Sequence, residues 1–194
     1  MARKKKEFAP DVMRPDTLGK LLMTKKQWQR FLKWLLFSLV CLLGLIVQDV
    51  VMSRFELPGR TTTDLAACCI LTVCVLQGAE SGCIFTLIAS TVFFYSDSAP
   101  GPYCIALLTV IAVFAALFRQ GFLSQGFFTL LICVGSALIV YEMAVFVIGV
   151  FLEHTTWDRW LRFLLSAVYT LAALPIVYPM LVGIGKIGGQ LWNE

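Results

Sequence analysis

The segment Thr63–Tyr95, "TDLAACCILTVCVLQGAESGCIFTLIASTVFFY", holds two apolar runs separated by "QGAESG", and its only charged side chains are Asp64 and Glu80. Each run is shorter than the roughly 20 apolar residues a helix needs to cross a bilayer core of about 30 Å. The segment therefore reads either as two short spans or as one re-entrant hairpin. Both readings return the chain to the same face, so the topology of the rest is the same for either.

Working outward, the composition sets the class. Of 194 residues, 59% are hydrophobic and 14% charged, against about 25% charged in soluble domains, and the mean hydropathy is +0.82. This pattern predicts an integral membrane protein with an all-α, polytopic bundle of about six transmembrane helices. The expected spans are Trp34–Met52, Thr63–Gln77, Gly82–Tyr95, Pro102–Phe118, Gln125–Phe151 and Trp160–Val182. The first follows a long polar, basic segment and no small-residue cleavage site comes after it, so it reads as a retained helix and not as a signal peptide.

Six helices place both termini on one side. Ten Lys and Arg precede the first span, and with Arg119 and Lys186 they make 12 of the 16 basic residues on that side, leaving Arg54, Arg60, Arg159 and Arg162 on the other. The positive-inside rule then puts both termini in the cytoplasm. Four segments follow: a disordered basic tail over 1–17, a basic amphipathic helix over 18–33, the six-helix domain over 34–182, and a short cytoplasmic tail over 183–194. In the second of these, Lys20, Lys25, Lys26, Arg30 and Lys33 alternate with Leu21, Leu22, Trp28, Phe31 and Leu32. Such a helix should lie at the headgroups before the chain turns into the bilayer, as an anchor on anionic lipid or as a dock for a partner.

Two constellations of small and polar residues interrupt the apolar spans. Gly78, Gly82, Thr86 and Ser90 recur at steps of four, which on a helix makes one ridge that lets a neighbouring backbone come close. Gly135, Glu142 and Gly149 recur at steps of seven, which places them on nearly one face of the fifth helix, with another helix expected against the glycines. Glu142 is the one charged residue between Gln120 and Leu152. A carboxylate there costs about 2.5–3.5 kcal/mol to insert, so it should face the bundle or a wet cavity. Without an intramembrane basic partner it makes a poor proton relay, and an interhelical hydrogen bond is the simpler role. Asp64, with Thr61, Thr62 and Thr63, is placed to cap the second helix. Pro175 and Pro179 should kink the last.

Other chemistry has no visible carrier. The seven cysteines sit in or beside apolar runs with no C-x-x-C pair, which suits packing residues and not zinc or redox sites. His154 in "EHTTWD" reads as a solvated turn, although Glu153 and Asp158 beside it allow a metal or acid–base group to be imagined. No nucleophile elbow, phosphate loop or zincin motif occurs, and the basic tail lacks stacking aromatics for nucleic acid. Neither catalysis, a metal nor a cofactor is expected.

From the second helix onward the chain resembles the MreD family, the small multispanning subunits of the bacterial rod-shape, or elongation, machinery. "TDLAACCILTVCVLQG" is similar to the family's second helix, which a Pro-Asp-Leu opens and a glycine closes, matching Asp64, Leu65 and Gly78, with Thr63 in the proline's place. The ladder of small residues follows, Gly78 and Gly82 kept and Thr86 and Ser90 standing for glycines, with Asp97 and Gly101 near the family's Asp and Gly after the third helix. The likeness covers roughly residues 63–186. It implies a non-catalytic scaffold in the bacterial plasma membrane, which binds the single-span MreC and helps link MreB filaments to a peptidoglycan polymerase and transpeptidase, with membrane lipids around it and no nucleic acid. The competing class is the substrate-binding subunit of an energy-coupling-factor vitamin transporter, also a six-helix protein of this size. Such subunits usually carry an Ala-x-x-x-Ala face on the first helix, and "WLLFSLVCLLGLIVQ" has no alanine. A membrane enzyme acting on lipids ranks third.

Overall fold

The computed structural model describes residues 25–50, 63–122 and 126–187. Of these, 88% are helical with no strand among them, and they form six α-helices: α1 (Lys25–Val50), α2 (Leu65–Gln77), α3 (Ala79–Tyr95), α4 (Tyr103–Phe122), α5 (Phe127–Phe151) and α6 (Trp160–Gly185), the last entered through a short 3-10 turn, Trp157–Arg159. Four of the six, α1, α4, α5 and α6, are long and apolar enough to cross a membrane. The protein is thus an all-α bundle of a membrane protein. The tail over 1–17, Lys20, Thr61 and Thr62 lie outside the described residues.

The centre of the bundle is α2. Every residue from Leu65 to Leu76 is buried, and α2 packs against each of the other five helices. A helix apolar all round belongs in such a place, since no face needs water. Its 13 residues span only about 20 Å at 1.5 Å per residue. That length is tolerated because neighbouring helices, and not lipid, surround it, so the bilayer thickness does not govern it. The segment read as two short spans or a hairpin forms two helices that meet at Gly78 without a loop, an arrangement both readings share.

Gly78 enables that break. Its φ is +87°, and a Cβ on it would come within 2.5 Å of the Gln120 amide nitrogen on α4. Only glycine meets both conditions at no cost. Four residues on, a Cβ on Gly82 would sit 2.8 Å from the Cys74 carbonyl oxygen, so α3 packs backbone to backbone on α2.

The first helix departs from expectation. The basic segment from Lys25 and the apolar span form one continuous helix, where a turn into the bilayer was expected near Trp34. No Pro or Gly occurs between Lys25 and Gly44, so nothing interrupts the helical hydrogen bonds. Arg30 is exposed and Lys33 half-buried on this extension. The prolines Pro175 and Pro179 lie inside α6 without ending it.

Candidate functional site

The helices alternate in direction, so one end of the bundle gathers the last turns of α1, α3 and α5 with the first turns of α2, α4 and α6. Because α2 starts deep, this end is hollow. A cavity of about 450 Å³ opens there, lined by Asp64, Asp97, Ser98, Tyr103, Glu142, His154, Arg159, Arg162 and Ser166 among others. In a chain so apolar, this is a dense gathering of polar groups.

The floor of the cavity is built around the start of α2. Asp64 occupies the cap position but its side chain makes no capping hydrogen bond, contrary to the sequence expectation. The exposed N–H groups are taken by other helices instead. The Asp64 N–H donates to Thr170 Oγ1 of α6 at 2.9 Å, and the Ala66 N–H donates to Gln48 Oε1 of α1 at 3.0 Å. Gln48 Nε2 reaches Asp64 Oδ1 at 3.5 Å. The Asp64 carboxyl is thereby released to turn toward Glu142, and the two lie within hydrogen-bonding reach of one another. Ser166 Oγ of α6 donates to Glu142 Oε1 at 3.0 Å. Glu142 is 4% exposed, so the interhelical hydrogen bond expected of it exists, with Ser166 as donor.

Two carboxyl groups side by side in such a place repel when both are ionised, and a shared proton or a bound cation relieves the repulsion. The mouth is mixed in sign but mainly basic, with the exposed Asp97 carboxylate as its acidic group. Arg159 and Arg162 line it, exposed, from the 3-10 turn and the first turn of α6, with His154 beside them. Among the described residues no group of three or more His, Cys, Asp or Glu is arranged to hold a metal ion. All seven cysteines are free, six of them buried.

The glycine-flanked face of α5 divides. Gly135 faces Leu171 of α6, but Gly149 faces Thr155, in the turn that follows its own helix. The Gly149 carbonyl accepts there from the N–H groups of His154 and Thr155. A seven-residue repeat expected to mark one neighbouring helix thus marks a helix contact at one end and a helix stop at the other. The small-residue ladder Gly78, Gly82, Thr86 and Ser90 is buried throughout, a seam inside the bundle.

Polar residues outside those patterns complete the site. Gln48, Ser166 and Thr170 are each buried. Ser166 and Thr170 are four apart in an apolar helix, which sets both on one face, and Gln48 is the amide nearest the end of the first span. Those spacings are visible in the sequence, though the partners are not.

A second concave surface lies on the side of the bundle. Both α1 and α3 pack on α2 but scarcely touch each other. Between them runs an apolar groove of about 520 Å³, walled by Ser38, Leu42 and Leu45 of α1 and by Ile84, Ile88 and Val92 of α3, with Ala66 and Ile70 of α2 as its floor. Toward the Lys25 end, Trp34, Phe37 and Phe85 close it, with Trp34 and Phe85 ring centroids 5.6 Å apart. Its α1 wall alone runs about 16 Å from Trp34 to Leu45 at 1.5 Å per residue.

Compared with family models, with curated proteins and with solved structures, the chain finds no match in any of the three.

Proposed function

We propose that this protein is a non-catalytic membrane scaffold of the MreD type, which holds a single-span partner such as MreC against its side and helps couple MreB-like filaments to peptidoglycan synthesis in a bacterial plasma membrane. The observation that supports this reading most is the groove between α1 and α3. In lipid, helices gain little from apolar contact alone, and shape and small residues decide where one helix rests on another. Ser38 on one wall, Ala66 on the floor and Ser81 and Ala89 on the other wall let a backbone approach, while Leu42 and Ile88, about half exposed, supply ridges. A transmembrane helix laid there would meet three helices at once. The basic start of α1, at the end of the groove, is the natural place for a cytoplasmic contact or for anionic lipid.

The test is photo-crosslinking in cells with a diazirine amino acid at Leu42 or Ile88, compared with Phe114 and Phe128 on exposed faces elsewhere. The expected result is an adduct with a single-span coiled-coil protein from the groove positions alone. Adducts with paired ATPases and a coupling membrane subunit would replace the scaffold with the transporter subunit, and adducts at all four positions alike would remove the groove as a docking surface.

A further inference from the structure

The cavity at the Asp64 end shares no lining residue with the groove between α1 and α3, and its chemistry is specific. Its volume, about 450 Å³, lies within the roughly 300–1,000 Å³ of small-molecule sites. A carboxyl pair, Asp64 and Glu142, lies at the floor, and at the mouth two guanidinium groups, Arg159 and Arg162, outnumber the single exposed carboxylate of Asp97. Ser166 occupies Glu142 Oε1 and Gln48 approaches Asp64 Oδ1, which holds the two carboxyls in place from opposite sides.

We propose that this cavity binds a small zwitterion, with a primary ammonium between Asp64 and Glu142 and an oxyanion, phosphate or carboxylate, at Arg159 and Arg162. An ammonium carries three N–H donors and a full charge, which fits two adjacent acceptors and relieves their repulsion. A planar guanidinium presents paired donors to an oxyanion. A bare metal ion fits poorly, because the floor offers two carboxyl groups and no third ligand of that class. A simple amine would leave both arginines unused, and a simple anion would meet the carboxyls. The same chemistry occurs in a free solute and in the ethanolamine phosphate headgroup of a lipid.

The experiment uses the purified full-length protein, with unfolding followed by a thiol-reactive dye, since the buried free cysteines become reactive only as the bundle opens. The soluble probes are phosphoethanolamine and 4-aminobutyrate, with ethylamine and inorganic phosphate as half-ligands. The expected result is a saturable rise in midpoint with one of the zwitterions and a far smaller rise with either half. Glu142→Gln, which keeps a hydrogen-bond acceptor for Ser166, and Arg162→Gln at the exposed mouth should each weaken the response at least about tenfold, the value of one charge-assisted hydrogen bond. In a parallel arm the protein is placed in nanodiscs of phosphatidylethanolamine or of phosphatidylcholine, whose headgroup lacks N–H donors. Stabilisation by the ethanolamine lipid alone, lost in both variants, identifies the headgroup as the source. A soluble zwitterion that acts in both lipids identifies a free solute. Equal stabilisation by ethylamine and the zwitterions, an unchanged response in Arg162→Gln and Arg159→Gln, or no response in either arm overturns the proposal. Each of these readouts is independent of any scaffold partner.

Discussion

The two ends of α2 solve one problem in opposite ways. A helix of 13 residues in the middle of an apolar bundle leaves N–H groups at its start and carbonyl groups at its finish without partners inside the helix. At the finish the chain closes on itself. The Gly78 N–H donates to the Cys74 carbonyl at 3.0 Å, the Arg119 guanidinium of α4 donates to the Val75 carbonyl, and α3 begins at once against the same backbone. At the start the N–H groups go to side chains of α1 and α6, and the space above is polar and open. The closed end is where stability is concentrated, and the open end is where specificity has room to exist.

The comparison is broken most severely at the closed end. Gly82→Val places two methyl-bearing branches where even a Cβ would lie 2.8 Å from the Cys74 carbonyl oxygen. Because the obstacle is backbone, nothing can rotate away, and a loss of about 3 kcal/mol or more is expected. Fluorescence-detected size exclusion of the tagged protein should show the monodisperse peak lost. Gly121→Ala, where a Cβ would meet nothing within 4 Å, should leave that peak unchanged. A well-folded Gly82→Val protein would mean that the α2–α3 seam is looser than its geometry.

A paired substitution measures the two ends against each other. Arg119→Met removes a charged donor from a buried carbonyl and should cost about 2 kcal/mol, while Gln48→Leu removes a neutral acceptor from the Ala66 N–H and should cost about 1 kcal/mol. Thermal midpoints of the two variants in one detergent give the order directly. The reverse order would place the greater share of the anchoring at the open end.

Much of the fold was legible because apolar run length is a strong signal: the ends expected for α2 to α6 agree with the helices to within four residues. The junction near Trp34 was not legible, since a basic amphipathic stretch and a span look different in composition yet share one unbroken helix from Lys25 when no Gly or Pro separates them. The site was less legible. Spacing placed Glu142 inside the bundle and the glycines on one face, but periodicity along one helix says nothing about which other helix supplies a partner. Asp64 shows the limit most clearly. Next to a helix start an aspartate has a local use, and the sequence offers no sign that Thr170, 106 positions away, takes the Asp64 N–H while Gln48 takes that of Ala66, leaving the carboxyl for Glu142.

The smallest expected effect sharpens the open end. If Glu142 is held for its geometry, Glu142→Gln should change the thermal midpoint by less than about 1 kcal/mol in equivalent stability, because an amide oxygen still accepts from Ser166 Oγ and the amide N–H groups can donate to Asp64. Glu142→Leu leaves the Ser166 hydroxyl and the Asp64 carboxyl without that partner, and should cost about 1–2 kcal/mol. The two variants have nearly the same size, so the difference between them isolates hydrogen bonding from packing. Equal losses would mean that charge at Glu142, and not its hydrogen bonds, carries its contribution. A neutral Leu variant would mean that the carboxyl pair adds nothing to folding. Burying a carboxyl costs free energy, so a pair without a stabilising role would be kept for what it binds.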